Sequence, residues 1–296
     1  MGAPRRRSEV CDASTVPGRL TRFTADGLTF DVRDEGPLDG PVVIALHGFP
    51  QTSASWAGVV PNLVAAGYRV LAPDQRGYSP GARPAEVARY DLARLVADVL
   101  ALADAAGARR FHLVGHDWGA AVGWTLAHRH PDRVATLCAV SVPHPTAMSR
   151  AFLGTQALRS WYALAFQVPG LAERVFGARG GEVVRRMLAR TGMPDPEPAV
   201  RLLTDPATAT GAVNWYRALR LPGRLSTGRI GVPTLYVWSD RDTALGRRAA
   251  EGTAAFVDGP YRFVVLPGVS HWVPEERPDE LAGLLLEHLD AHPLER

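Results

Sequence analysis

The chain contains no lysine: all 33 of its basic residues are arginine, set against 30 Asp plus Glu for a formal charge of +3. The arginines are scattered along the sequence. Only Arg5-Arg6-Arg7 cluster, and they sit in a Pro- and Ser-containing leader, residues 1–18, of the kind expected to be disordered at a terminus. The one-sided basic footprint of a nucleic-acid binder is missing, so no nucleic-acid partner is expected. Cysteine is almost absent too. Cys11 falls in the leader and Cys138 in an apolar run, with no CxxC or metal-ligand spacing, which excludes a disulfide framework and a cysteine-held metal. No apolar run reaches the ~20 residues of a membrane span. The basic N-terminus lacks the apolar stretch of a secretory signal, and Arg6 stands where a myristoylation signal needs Ser or Thr. A soluble, cytoplasmic protein without a membrane partner is expected.

What is present suits one large α/β domain: 296 residues, 46% of them hydrophobic. The pieces 21–23 and 28–32 flank Ala25-Asp26-Gly27 and predict a leading hairpin. The unbroken apolar run 41–46 predicts a strand buried on both faces. Then follow an expected helix over 53–66, a strand over 68–72, a helix over 91–106, a strand over 111–114, a helix over 119–130 and a strand over 134–142. This alternation implies a mostly parallel central sheet with helices on both faces. It stops at Val142-Pro143-His144-Pro145 and resumes with strands over 234–238 and 262–266 and helices over 247–256 and 278–289. The stretch between, residues 144–228, is helical in flavour, aromatic-rich and broken only at 194–198; it predicts a helical cap inserted between the sixth and seventh strands of a core formed by 19–143 and 229–296.

Chemistry enters at Gly115-His116-Asp117-Trp118-Gly119, directly after an apolar strand and directly before a helix. This is the form of the G-x-S-x-G nucleophile elbow with a carboxylate in place of serine. The flanking glycines permit the tight strand-to-helix turn. An aspartate is already an anion at neutral pH and displaces a leaving group from saturated carbon to give an alkyl ester, which suits epoxide opening or halide removal. The base and its orienting acid should follow in chain order. His271 lies on the loop after the strand 262–266 and is the expected base, with His144 its main rival among nine histidines. His112, His128, His130, His288 and His292 read as structural or solvated, and His47 as structural. For the acid, Trp238-Ser239-Asp240-Arg241-Asp242 offers two candidates; Asp242 lies further into the loop and is preferred, while Asp240 serves equally well as a turn former. An oxyanion hole needs two backbone N–H donors: Trp118, following the nucleophile, and Phe49 in Leu46-His47-Gly48-Phe49-Pro50, after the first buried strand.

With these motifs the chain resembles the epoxide hydrolases of the α/β-hydrolase fold, from about Arg19 to Leu289. Two further stretches carry the likeness: Tyr162 precedes Ala163-Leu164-Ala165-Phe166-Gln167-Val168-Pro169-Gly170, and Tyr216 lies in Asn214-Trp215-Tyr216-Arg217. The resemblance implies that these cap tyrosines hold the epoxide oxygen, and that Phe49, Trp118, Tyr162 and Tyr216 bind substrate. It implies a small-molecule epoxide and water as substrate partners, a vicinal diol as product, and no metal or organic cofactor. Two rivals remain. A haloalkane or haloacid dehalogenase shares the aspartate but wants halide donors, and Phe49 lacks a polar side chain. A non-catalytic ligand-binding protein of the same fold has no need of all four catalytic parts. One departure stands out: Asp74-Gln75-Arg76-Gly77-Tyr78-Ser79-Pro80 differs from the wider fold's commoner Asp-x-Arg-Gly-x-Gly-x-Ser. It is expected to touch none of these roles and to change the pocket wall.

Overall fold

The leading hairpin is set by its turn. Asp26 and Gly27 both adopt positive φ (51° and 73°), the two-residue geometry whose twist matches the strands it joins. The strands are β1 (Arg22–Ala25) and β2 (Leu28–Glu35). The computed structural model describes residues 18–151, 156–159, 161–220 and 227–294, so the leader expected over 1–18, with Cys11 and the arginine cluster, lies almost wholly outside the described residues. The remaining strands are β3 (Val42–Leu46), β4 (Arg69–Pro73), β5 (Phe111–His116), β6 (Val134–Val140), β7 (Thr234–Ser239) and β8 (Tyr261–Leu266). They form one eight-stranded sheet in the order β1-β2-β4-β3-β5-β6-β7-β8. The pairing within the hairpin and its junction with β4 are antiparallel, and the other five pairings are parallel.

Every residue of β3 to β7 is buried, as a sheet covered on both faces demands. Alternate side chains serve opposite faces. Ile44 and Leu46 pack with Leu95, Val99 and Leu102 of the helix Leu92–Ala105 and with Trp124 of the helix Trp118–Arg129. Val43 and Ala45 pack with Leu63, Leu281, Leu285 and Leu289 on the other face. Each buried leucine of the terminal helix Pro278–Asp290 contributes roughly 1.5–3 kcal/mol. The helix expected over 53–66 is two pieces, a single tight turn at Ser53–Trp56 and the helix Val60–Ala65. The break passes Gly58 against Pro278, where an added Cβ would come within 2.7 Å of the proline ring. That contact is tertiary and has no local signature.

Between β6 and β7 the described residues contain helices and no strand. The longest helix there, Pro206–Arg217, is bolted to the core. Trp215 Nε1 donates to the Arg76 carbonyl at 2.7 Å, Asn214 Nδ2 to the Ala85 carbonyl at 3.1 Å, and Arg83 pairs with the capping Asp205 at 3.0 Å. Gly77 and Gly211 meet backbone to backbone; a Cβ on Gly211 would lie 2.7 Å from the Gly77 Cα. Arg76 itself is clamped by Asp98 through two bonds of 2.8 and 2.7 Å. The segment 74–80 therefore docks this helix and lines neither large cavity at the sheet's carboxyl edge. The segment reaches the pocket wall only indirectly, through the helix that carries Tyr216, a residue lining both cavities.

Candidate active site

Asp117 follows β5 and caps the helix Trp118–Arg129 with φ 52° and ψ −118°, a strained conformation for a non-glycine residue. The turn leaves no room for side chains nearby. A Cβ on Gly115 would lie 2.3 Å from the Gly119 carbonyl oxygen, and one on Gly48 would lie 2.3 Å from the Asp117 Cβ. The strain turns the carboxylate up at the sheet's edge, where its two oxygens have different partners. Oδ1 accepts from the Phe49 amide at 2.8 Å, while Oδ2 lies 3.6 Å from His271 Nε2. His271 Nδ1 is 2.7 Å from Asp242 Oδ2, and Asp242 Oδ1 accepts from the amides of Ala244 and Leu245 at 2.7 and 2.8 Å. Trp118 opens the helix, so its N–H is among the first-turn amides that have no intrahelical acceptor. Asp117, His271, Asp242 and Phe49 are thus brought together.

The competing candidates fall elsewhere. Asp240 accepts from the Gly268 amide at 2.7 Å and ties the loop after β7 to the loop after β8. His144 stacks on Phe256 at 4.8 Å; its Nδ1 accepts from Thr146 and its Nε2 contacts the Gly228 carbonyl. Burial pushes it down to about 4. His47 accepts the Gln75 amide on Nε2 at 3.0 Å, and burial lowers it as well.

Electrostatics divide the site. Burial opposes charge on His271, but the carboxylates of Asp242 and Asp117 outweigh it and push the imidazole up to about 10. Burial raises Asp117, and the hydrogen bond and charge of His271, with the Phe49 amide, bring it below the ordinary value. The two carboxylates thus favour a charged imidazole between them. Burial, reinforced by Asp117, raises Tyr162; burial, reinforced by Tyr162 and Asp117, raises Tyr216, so both phenols keep their protons.

Tyr162 and Tyr216 face each other with ring centroids 5.9 Å apart. Both line two mainly apolar cavities, of about 350 and 170 Å³, and both cavities reach Asp117. Phe49 packs edge-on to Tyr216 at 5.3 Å, as does Trp118 at 5.0 Å. Among the described residues no group of three His, Cys, Asp or Glu side chains is placed to hold a metal ion. No helix among them is long and apolar enough to cross a membrane. Sequence reasoning passed over His116, which sits inside the elbow motif, and Gln51, which directly follows Pro50. His116 Nε2 lies 2.9 Å from the His271 carbonyl and its Nδ1 lies 3.0 Å from Gln51 Oε1.

Comparison with known proteins identifies the family. Residues 41–278 match the family described as the alpha/beta hydrolase fold. Epoxide hydrolase A of Mycobacterium tuberculosis is 36% identical, the alignment covering 89% of this chain and 95% of that protein. The AB hydrolase superfamily protein YfhM of Bacillus subtilis is 32% identical over the same shares. Among solved structures, epoxide hydrolase A from Mycobacterium thermoresistibile superposes with a TM-score of 0.77 at 32% identity, covering 93% of this chain and 98% of that one. The chain belongs to the epoxide hydrolase family of the α/β-hydrolase fold.

Proposed function

We propose that the protein opens epoxides to vicinal diols through an ester on Asp117, beneath a cap formed by residues 144–228. Oδ1 is held by the Phe49 amide, which leaves Oδ2 as the attacking atom. It bonds to one epoxide carbon; the ring C–O bond breaks, and the alkoxide takes a proton from Tyr162 or Tyr216. The product is a hydroxyalkyl ester. Asp117 has then lost its charge, so one of the two carboxylates that raise His271 is gone. The imidazolium proton returns to the tyrosinate, and neutral His271 takes a proton from water. The resulting hydroxide attacks the ester carbonyl, and the oxyanion forms against the N–H groups of Phe49 and Trp118. When the ester C–O bond breaks, the departing alkoxide takes the proton held by His271 and leaves as the diol, and the carboxylic acid formed on Asp117 passes its own proton to His271, which restores the starting pair. The substrate partners are a small-molecule epoxide and water. A cytoplasmic location accords with the near absence of cysteine and the free, buried Cys138.

The observation that carries this reading is the asymmetry of Asp117: one oxygen fixed by an amide, the other toward the His271–Asp242 pair, in a cavity shared with two protonated phenols. The test is His271→Gln. Only the second half-reaction needs water activation, so the variant mixed with epoxide should gain the mass of one substrate molecule and stall. Rapid multiple turnover by the variant would refute the role of His271.

A further inference from the structure

Behind His271 runs a chain of polar groups that the mechanism above does not use. The His271 carbonyl oxygen accepts from Ser141 Oγ at 3.1 Å and contacts His116 Nε2 at 2.9 Å. His116 Nδ1 meets the side-chain amide of Gln51, whose other end meets Glu275 Oε1. The loop after β3, the end of β5 and the short helix Val273–Glu276 each supply one member. The second carboxyl oxygen, Glu275 Oε2, is shut off from solvent and has no hydrogen-bond partner among the described residues.

Counting protons along the chain fixes its charge. A carbonyl oxygen only accepts, so His116 carries hydrogen on Nε2. Its Nδ1 then either accepts, in a neutral ring, or carries a second proton, in an imidazolium. An imidazolium would be a fully buried cation with its ring centroid 4.9 Å from that of His271. Burial and the charge of His271 push His116 down to about 4, so the ring is neutral and Nδ1 accepts. Gln51 must therefore present its N–H to His116 and its carbonyl to Glu275, a half-turn that leaves the amide's shape unchanged. Facing a carbonyl oxygen, Glu275 must be the donor.

We propose that Glu275 is a neutral carboxylic acid that, donating through Gln51 to His116, acts as a positioning residue for His271. The role, though not the acid itself, rests on the reading of His271 as the hydrolytic base. The unpartnered Oε2 fits the acid, because a buried anionic oxygen without a donor costs far more than a neutral carbonyl in the same place. Burial pushes Glu275 up to about 7, and Gln51, turned so that it accepts, favours the acid; of the charged neighbours, Glu276 adds to the rise and His271 acts against it. Those two residues, with His116 one amide away, are the titratable groups that face it. The sign of the pH dependence follows. Between the ordinary value of 4.5 and about 7 the folded protein keeps a proton that the unfolded chain has lost, so stability falls as pH rises through that window. Above it Glu275 no longer donates, and His271 loses one of its two main-chain anchors.

Two variants of the full chain test this. Glu275→Gln keeps a neutral donor of the same shape, and Glu275→Leu removes it. In single turnovers Glu275→Leu should slow ester hydrolysis on the order of tenfold, the worth of one buried hydrogen-bonded link, and spare alkylation. Glu275→Gln should hydrolyse at the wild-type rate below the Glu275 titration and hold that rate above it, where the wild type declines. Infrared difference spectra read the acid without turnover: the wild type should lose a protonated-carboxyl carbonyl band as pH rises, and Glu275→Gln should lack that band. This readout separates the acid from the epoxide reading, since the band is expected even if no epoxide is opened. Absence of the band overturns the proposal. So does a Glu275→Gln variant as slow as Glu275→Leu, or a Glu275→Leu variant that hydrolyses at the wild-type rate.

Discussion

The two phenols above Asp117 stand on unlike supports. Tyr216 lies near the end of the helix Pro206–Arg217, which has a side-chain cap at Asp205, eight buried residues and direct bonds into the core segment 74–85. Tyr162 lies on the five-residue helix Trp161–Ala165, where no residue is more than partly buried and Trp161 and Leu164 are 60% and 73% exposed. The second support hangs from the first. Gln167 Nε2 donates to the Tyr216 carbonyl at 2.8 Å, Arg217 Nε to the Phe166 carbonyl at 3.0 Å, and Arg217 grips Glu173 with bonds of 2.8 and 3.0 Å. One proton donor is thus delivered by a platform and the other by a tethered segment whose Trp161, Tyr162 and Phe166 also line the larger of the two cavities. Local unfolding draws on segments with few buried contacts, so access to the site is expected to be set on the Tyr162 side and donor geometry on the Tyr216 side.

The largest effect should come from removing both donors. Tyr162→Phe and Tyr216→Phe should each slow ring opening about a hundredfold, and the double variant should nearly abolish it, because the alkoxide then forms without a proton donor. Ester hydrolysis should change little, since its oxyanion is held by Phe49 and Trp118. Rapid-quench alkylation rates decide; unimpaired opening by the double variant would remove both tyrosines from the mechanism. Halide release from a matched haloalkane outpacing epoxide turnover would favour the dehalogenase chemistry instead.

A smaller effect should follow from loosening the platform. Gly211→Ala places a Cβ against the Gly77 backbone, an overpacking that costs about 1–3 kcal/mol. Thermal unfolding should come earlier, and alkylation should slow, while hydrolysis of a preformed ester stays near wild type. Equal slowing of both half-reactions would show that the platform supports the triad as well as Tyr216. The smallest effect is expected from the tether. Arg217→Met breaks a pair whose side chains remain 13% and 19% exposed, worth about 1 kcal/mol after solvent screening. It should raise KM more than it lowers kcat; the reverse split would make Tyr162 as firmly held as Tyr216.

How much of this was legible in the sequence depended on whether the cause was local. The elbow was readable because its geometry resides in five consecutive residues, Gly115 to Gly119. The sheet was readable because strands covered on both faces leave unbroken apolar runs, as in Val42–Leu46. Asp242 and Asp240 were separable only by position along the loop, and the difference lies in which amides each accepts. The docking role of 74–80 was hidden because Gly77 meets Gly211 across 134 residues of chain. Gln51, His116 and Glu275 were hidden for the same reason: three distant segments converge under His271 only when β3, β5 and the chain after β8 take their places in the sheet.

The central claim is that the carboxylate of Asp117, and not water, makes the first bond to the epoxide. A single turnover of excess wild-type protein in isotopically labelled water tests it most directly. The account predicts that the diol of that turnover carries an unlabelled oxygen taken from Asp117, and that the peptide containing Asp117 gains one labelled oxygen from solvent. A labelled diol with an unlabelled Asp117 peptide would contradict it.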